Sequence, residues 1–191
     1  MPIKAIELKR GQALIYDGKL QVVIDTEHVK PGKGPAYVQA KMKAIDTGTI
    51  KVNRINSSDK LEDVNIDRRP MQFLFDKSGQ GKGPWVFMDY ESYEQLEMGD
   101  DIVDKNQSQW LKDGLEVLVM VFDDNPLGIE LPASVELAIT DTTNQPKAAT
   151  ATNQLKEATV ETGARVRVPP FIEVGQVVKI NSENGEYLGK A

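Results

Sequence analysis

Apolar and polar residues alternate one for one through much of this chain, and no stretch carries the 3.6-residue apolar stripe of a long amphipathic helix. The clearest case is "AYVQAKMKA", in which Val38, Ala40, Met42 and Ala44 alternate with Tyr37, Gln39, Lys41 and Lys43. One face of such a strand packs and the other carries charge. The preceding "QALIYDGKLQVVID" predicts a hairpin closed by Asp17-Gly18, residue types that accept the positive φ of a tight turn. "MQFLF", "WVFMD", "LEVLVMVFD", "ARVRV" and "QVVKIN" predict further strands, set off by Gly, Pro, Asn and Asp. One helix is expected, over "YESYEQLEM", with Asp89 as its cap.

Short alternating strands of this kind build small barrels or sandwiches, so the predicted class is all-β. Two boundaries divide the chain. Near Val64 a new strand series opens with "IDRRPMQFLF", and near Leu131-Pro132 a second series closes after "DDNPLGIELP". Three small β-barrel modules follow, over residues 1–64, 65–129 and 130–191. The run "DTTNQPKAATATNQ", Asp141 to Gln154, has little to bury and is expected as a mobile loop in the last module.

Charge changes the picture. A net charge of −6 argues against a nucleic-acid partner at first sight, but the charge is uneven. Residues 1–64 hold 11 Lys and Arg against 8 Asp and Glu (+3), residues 65–129 hold 6 against 13 (−7), and residues 130–191 hold 6 against 8 (−2). The first module is the basic one. The absence of cysteine removes disulfides, thiolate metal sites and thiol catalysis and fits a reducing compartment. "MPIKAIELKRGQ" lacks the apolar run of a signal peptide, and no segment approaches the roughly 20 apolar residues of a membrane span, so a cytoplasmic chain with no membrane partner is expected. With His28 the single histidine, no Ser-His or Cys-His pair and no His-rich metal cluster can be assembled. No enzymatic activity, cofactor or metal is expected. The carboxylates of "EMGDDIVD" lack the ligand spacing of a calcium loop and read as a solvated face.

What remains is the tetrapeptide GKGP, present twice, in "KPGKGPA" (residues 30–36) and "GQGKGPW" (residues 79–85). Neither is a phosphate-binding P-loop, which ends in Lys-Ser or Lys-Thr and opens a helix, whereas a strand follows here. In the first copy Pro31 presets a turn, Gly32 and Gly34 open φ values closed to other residues, and Pro35 pushes Gly34 toward extended backbone. Lys33 is thus the one side chain on a thin, stiffened tip. An ordinary exposed hairpin turn uses the same residues, and on this stretch alone both readings stand. The second copy sits in the acidic module, in a longer and floppier loop without the preceding proline, and is expected to be only a turn.

At this point the chain resembles the bacterial elongation factor P family. "HVKPGKGPAYVQAKMKAIDTGT" resembles that family's N-terminal tip hairpin, "FMDYESYEQLEM" its central helix, "KEATVETGARVRVPPFIEVG" its C-terminal signature and "NGEYLGKA" its closing segment. The resemblance implies an SH3-like, KOW-type barrel followed by two OB-folds in an L-shaped, tRNA-like arrangement. It implies a monomeric factor that binds the 70S ribosome between the peptidyl and exit sites and stimulates peptide-bond formation at consecutive prolines. Pro31, Gly32, Lys33, Gly34 and Pro35 would contact peptidyl-tRNA, Lys33 would be a candidate modification site with a modifying enzyme as a further partner, and Tyr187 and Lys190 would contact the ribosome or tRNA. Three features depart from the family: the long loop "DKSGQGKGPW", a lysine at position 190 where relatives often carry arginine, and Pro35. An OB-fold nucleic-acid adapter and a divergent paralogue acting at another ribosomal step are the competing readings.

Overall fold

The computed structural model describes residues 2–143 and 155–191. The chain is all-β and its alternating pattern becomes three curled sheets with apolar side chains turned inward. It divides into two compact units, Met1–Asp67 with Val121–Leu127, and Arg68–Met120 with Gly128–Ala191.

The first sheet contains β1 (Pro2–Lys4), β2 (Ala13–Tyr16), β3 (Lys19–Val29), β4 (Tyr37–Ala44), β5 (Ile50–Asn56) and β6 (Lys60–Val64), in the order β1-β6-β2-β3-β4-β5. Asp17 and Gly18 close the β2–β3 hairpin with φ of 51° and 73°, the pair of positive values a two-residue hairpin turn requires. On β4, Val38, Ala40 and Met42 are fully buried and Ala44 nearly so, as the alternation predicts. They meet Ala5, Leu8, Leu14, Val23, Ile55 and Leu61 in one core. Backbone bonds from Ala5 N–H to Asp59 C=O (2.9 Å) and Ile6 N–H to Ser57 C=O (3.2 Å) tie the chain's first turn back to the β5–β6 connection.

The second sheet contains β7 (Asp67–Asp76), β8 (Trp85–Asp89), β9 (Gln95–Met98), β10 (Glu116–Phe122) and β11 (Asn125–Glu130), in the order β11-β10-β7-β8-β9. Phe73 and Phe87 face each other across β7 and β8 with ring centroids 5.5 Å apart at a tilt of 58°. The helix expected over "YESYEQLEM" is absent. Asp89 does behave like a cap, since its carboxylate accepts from the N–H of Glu91 (2.7 Å) and Ser92 (3.2 Å). The chain then turns at Tyr93, with φ of 59°, and Gln95, Leu96, Glu97 and Met98 run on as β9. The deciding signal is a period of two, with Met98 buried and Gln95 and Glu97 exposed. The actual helix, α1, is the single turn Lys105–Ser108, closed by a capping box in which Asp104 accepts from Gln107 N–H (2.8 Å) and Gln107 accepts from Asp104 N–H (3.4 Å).

The third sheet contains β12 (Ser134–Thr142), β13 (Lys156–Val160), β14 (Arg165–Val168), β15 (Val177–Asn181) and β16 (Tyr187–Lys190), in the order β14-β13-β12-β15-β16. A parallel bridge between Arg167 and Glu186 brings β14 and β16 together, so the sheet curls on itself. The loop predicted from Asp141 begins later than expected, because β12 runs through Thr142, and residues 144–154 lie outside the described part of the chain. Among the described residues no helix is long and apolar enough to cross a membrane.

The core of this third sheet is completed from outside it. Trp110, just after α1, is buried among Val135, Leu137, Ile139, Val160, Val166, Ile172 and Ile180. Lys112 fastens the same segment by donating to the Glu136 carbonyl (2.9 Å) and pairing with Glu161 (3.4 Å). Gly185 is required where it stands: its φ is 74°, and a Cβ there would come within 3.3 Å of the Trp110 ring. Replacing Trp110 by alanine should therefore cost about 3–5 kcal/mol, as removal of a buried aromatic does, and should unfold the third sheet first. Urea titration followed by amide exchange on β12 and β15 checks this, and protection lost only in the second sheet would refute it.

Candidate functional site

The first GKGP lies at the end of the longest hairpin. β3 has eleven residues and pairs with β4 out to the rung Val29↔Tyr37, leaving residues 30–36 to connect them. Gly32, Lys33, Gly34 and Pro35 are exposed and Pro31 is half-buried. Gly34 takes a φ of 110°, which a residue with a Cβ adopts only under strain, whereas Gly32 is not in the positive-φ region. The Lys33 ammonium has no hydrogen bond or ion pair among the described residues. It is free to meet an external acceptor. His28, one rung from the end of β3 opposite Val38, is exposed.

The second GKGP is built on a different plan from the loose loop the sequence suggests. The carboxylate of Asp76, at the end of β7, accepts from the N–H groups of Ser78 (3.1 Å), Gly81 and Gly83 (3.0 Å) and from the Ser78 hydroxyl (2.8 Å). The Ser78 hydroxyl in turn accepts from Gln80 N–H and Lys82 N–H, each at 3.2 Å. The loop is thus folded around its own anion. These N–H groups resemble a phosphate cradle, but an internal carboxylate already occupies them. Partial burial pushes the Asp76 carboxyl up, but the hydrogen bonds from Ser78, Gly81 and Gly83 outweigh it and hold the group below its ordinary range. Lys82 projects from this loop, exposed, while Lys77 is paired with Glu97 at 2.7 Å.

Tyr187 and Lys190 share β16 but have different surroundings. Tyr187 is half-buried and packs against the third sheet's core. Lys190 is exposed, with its ammonium 5.5 Å from the centroid of the Phe171 ring. Lys33 belongs to the first compact unit, and Tyr187 and Lys190 to the second. Among the described residues no group of three or more His, Cys, Asp or Glu is placed to hold a metal ion. Asp104 of the acidic run serves instead as the α1 cap. The anchoring role of Asp76 was missed because its partners lie two to seven residues away, and only the folded loop shows them converging.

Comparison with known proteins matches three segments spanning most of the chain to one family. Residues 4–61 match the elongation factor P KOW-like domain, residues 66–129 the elongation factor P OB domain, and residues 135–190 the elongation factor P C-terminal domain. An elongation factor P from a Nocardioides species is 41% identical over 184 residues, which is 96% of this chain and 96% of that protein. Among solved structures, a eukaryotic translation initiation factor 5A from Methanococcus jannaschii is 27% identical with a TM-score of 0.42, covering 69% of this chain and 94% of that one. A translation initiation factor 5A family protein from Naegleria fowleri is 19% identical with a TM-score of 0.38, covering 68% and 95%.

The Asp76 hub has a pH signature. Because its folded-state pKa is depressed, its contribution is present in full above the ordinary carboxylate pKa and is lost as pH falls through the lower folded value. The loop should be intact at neutral pH and loosen only below about pH 4. Asp76→Asn should loosen it at every pH, by roughly 1 kcal/mol for a solvent-facing hydrogen-bond set. Amide exchange at Gly81 and Gly83 reports both effects, and equal protection in the parent and the variant at pH 7 would exclude the hub.

Proposed function

This chain belongs to the elongation factor P family, and we propose that it binds the ribosome between the peptidyl and exit sites and uses Lys33 to hold peptidyl-tRNA in reactive geometry at consecutive prolines. Family membership makes it a translation elongation factor that works with the ribosome. The observation that carries the finer reading is the tip itself, an exposed ammonium without a partner on a short loop of two glycines and two prolines. Proline is a poor and conformationally restricted donor and acceptor, so holding the tRNA end and nascent chain in place lowers an entropic barrier. The ribosome performs the transfer, and this chain supplies orientation and no catalytic group.

The charge distribution supports the same reading. The basic module, residues 1–64, carries the tip that meets RNA, and the acidic module, residues 65–129, has fewer groups to neutralise phosphate. Lys190 offers a contact from the C-terminal module, residues 130–191, with Tyr187 as packing support in the same strand. The factor acts as a cytoplasmic monomer under this reading. The second GKGP has no part in the tRNA contact.

In a reconstituted translation system the protein should speed synthesis through Pro-Pro and leave a proline-free message nearly unchanged. Lys33→Ala should remove most of that gain with a thermal midpoint within about 1 °C of the parent, since an exposed tip residue contributes little packing. Lys82→Ala should retain it. Equal acceleration of both messages, or a larger loss from Lys82→Ala, would overturn the assignment.

Lys33 should also work without a covalent extension. Pro31 and Pro35 restrict the loop before it binds, so less entropy is lost on insertion, which replaces part of what a longer side chain provides. Intact-mass analysis of protein from its native host should show no added mass on the peptide containing Lys33, and recombinant protein should be active. A stoichiometric adduct there, together with inactive recombinant protein, would reverse this conclusion.

A further inference from the structure

We propose that Arg54 and Tyr37 form a clamp that sets the direction in which Lys33 leaves the sheet. The inference rests on the reading of Lys33 as the residue that meets peptidyl-tRNA. Tyr37 occupies the last rung on both sides of β4, opposite Val29 of β3 and Asn56 of β5. One further backbone bond, from Ser57 N–H to Ala36 C=O (3.1 Å), continues the pairing, and beyond it lie the five residues from Pro31 to Pro35. Any swing of the tip therefore pivots at Tyr37. Arg54 lies opposite Gln39, two residues along β4 from Tyr37 and so on the same face. Its guanidinium sits 3.8 Å from the centroid of the Tyr37 ring, within the range of a cation–π contact.

Two facts make this pair more than surface decoration. Arg54 has no carboxylate partner among the described residues, although Asp and Glu outnumber Lys and Arg in the chain. The ring it covers is the last side chain held by three strands before the chain becomes free. A stack of this kind is too weak and too exposed to govern the barrel's stability. Its effect is directional, since a tyrosine held flat at the pivot restricts the angle of the hairpin end, and an error of about 1 Å at a reacting centre costs up to about 100-fold in rate. Arg54 is thus a positioning residue acting through Tyr37, and Lys33 is the group that makes contact.

The test titrates factor against a Pro-Pro message in reconstituted translation, using the full chain as parent, Arg54→Ala, Arg54→Lys, Tyr37→Phe and Lys33→Ala. Arg54→Ala should lower the maximal rate about tenfold while leaving the half-saturating concentration and the thermal midpoint unchanged. Tyr37→Phe keeps the ring and should match the parent, and Arg54→Lys keeps the charge without the planar stack and should fall between. Parent-level rates for Arg54→Ala beside a defective Lys33→Ala would overturn the clamp. A shift in half-saturation alone would also overturn it, by making Arg54 a plain phosphate contact. If Lys33→Ala is itself fully active, the underlying reading fails and the clamp falls with it.

Discussion

Each sheet has one inward face to fill and only some sixty residues with which to fill it, and at that size the ratio of interior to surface is poor. Every inward position is consequently committed. In the first sheet the small side chains of Ala5 and Ala40 leave room for Leu14 and Met42, and the buried polar side chain on the inward face, Gln21 opposite Leu14, is satisfied by donating to the Tyr16 carbonyl (3.0 Å). The third sheet lacks a large side chain of its own at one point and takes Trp110 from the preceding segment. Function cannot be housed in such interiors. On the proposed reading it falls to exposed side chains at a hairpin end and a strand edge, Lys33 and Lys190.

The strands were legible because period-two alternation is a local property. Val38, Ala40, Met42 and Ala44 are buried on β4, and the Asp17-Gly18 turn has the backbone its residue types favour. The helix lies elsewhere than its capping signal suggests, because that signal is not specific to helices. Asp89 offers its carboxylate to the next N–H groups, as a helix cap does, and the same chemistry serves a turn into β9. The true α1 spans four residues and buries none of them, so it has no apolar periodicity to read.

The tip was legible for a different reason. Proline and glycine act on the backbone through their own covalent structure, and Gly34 shows that action directly in its φ of 110°. Residues that support or imitate the tip were not legible, because their partners are set by register and by loop closure. Arg54 meets Tyr37 across a strand pair, and Asp76 gathers N–H groups from five and seven residues ahead. Two copies of GKGP can thus have opposite electrostatic economies. In one the lysine is left open to an outside anion; in the other the loop's amides are already spent on an inside one.

The β3–β4 ladder also limits how the reach of Lys33 can be adjusted. Val38, Ala40 and Met42 occupy inward positions of β4, so inserting or deleting one residue on that strand would turn all three outward. Where no bulge absorbs the change, as one does on β3 between Val23 and Asp25, arm length changes in pairs of residues, in steps of about 6.6 Å. That quantum is coarser than the separation over which a hydrogen bond is made or lost. Apart from such a bulge, fine adjustment of contact distance comes from the chemistry at the tip, in the length of its side chain or the stiffness of its flanks.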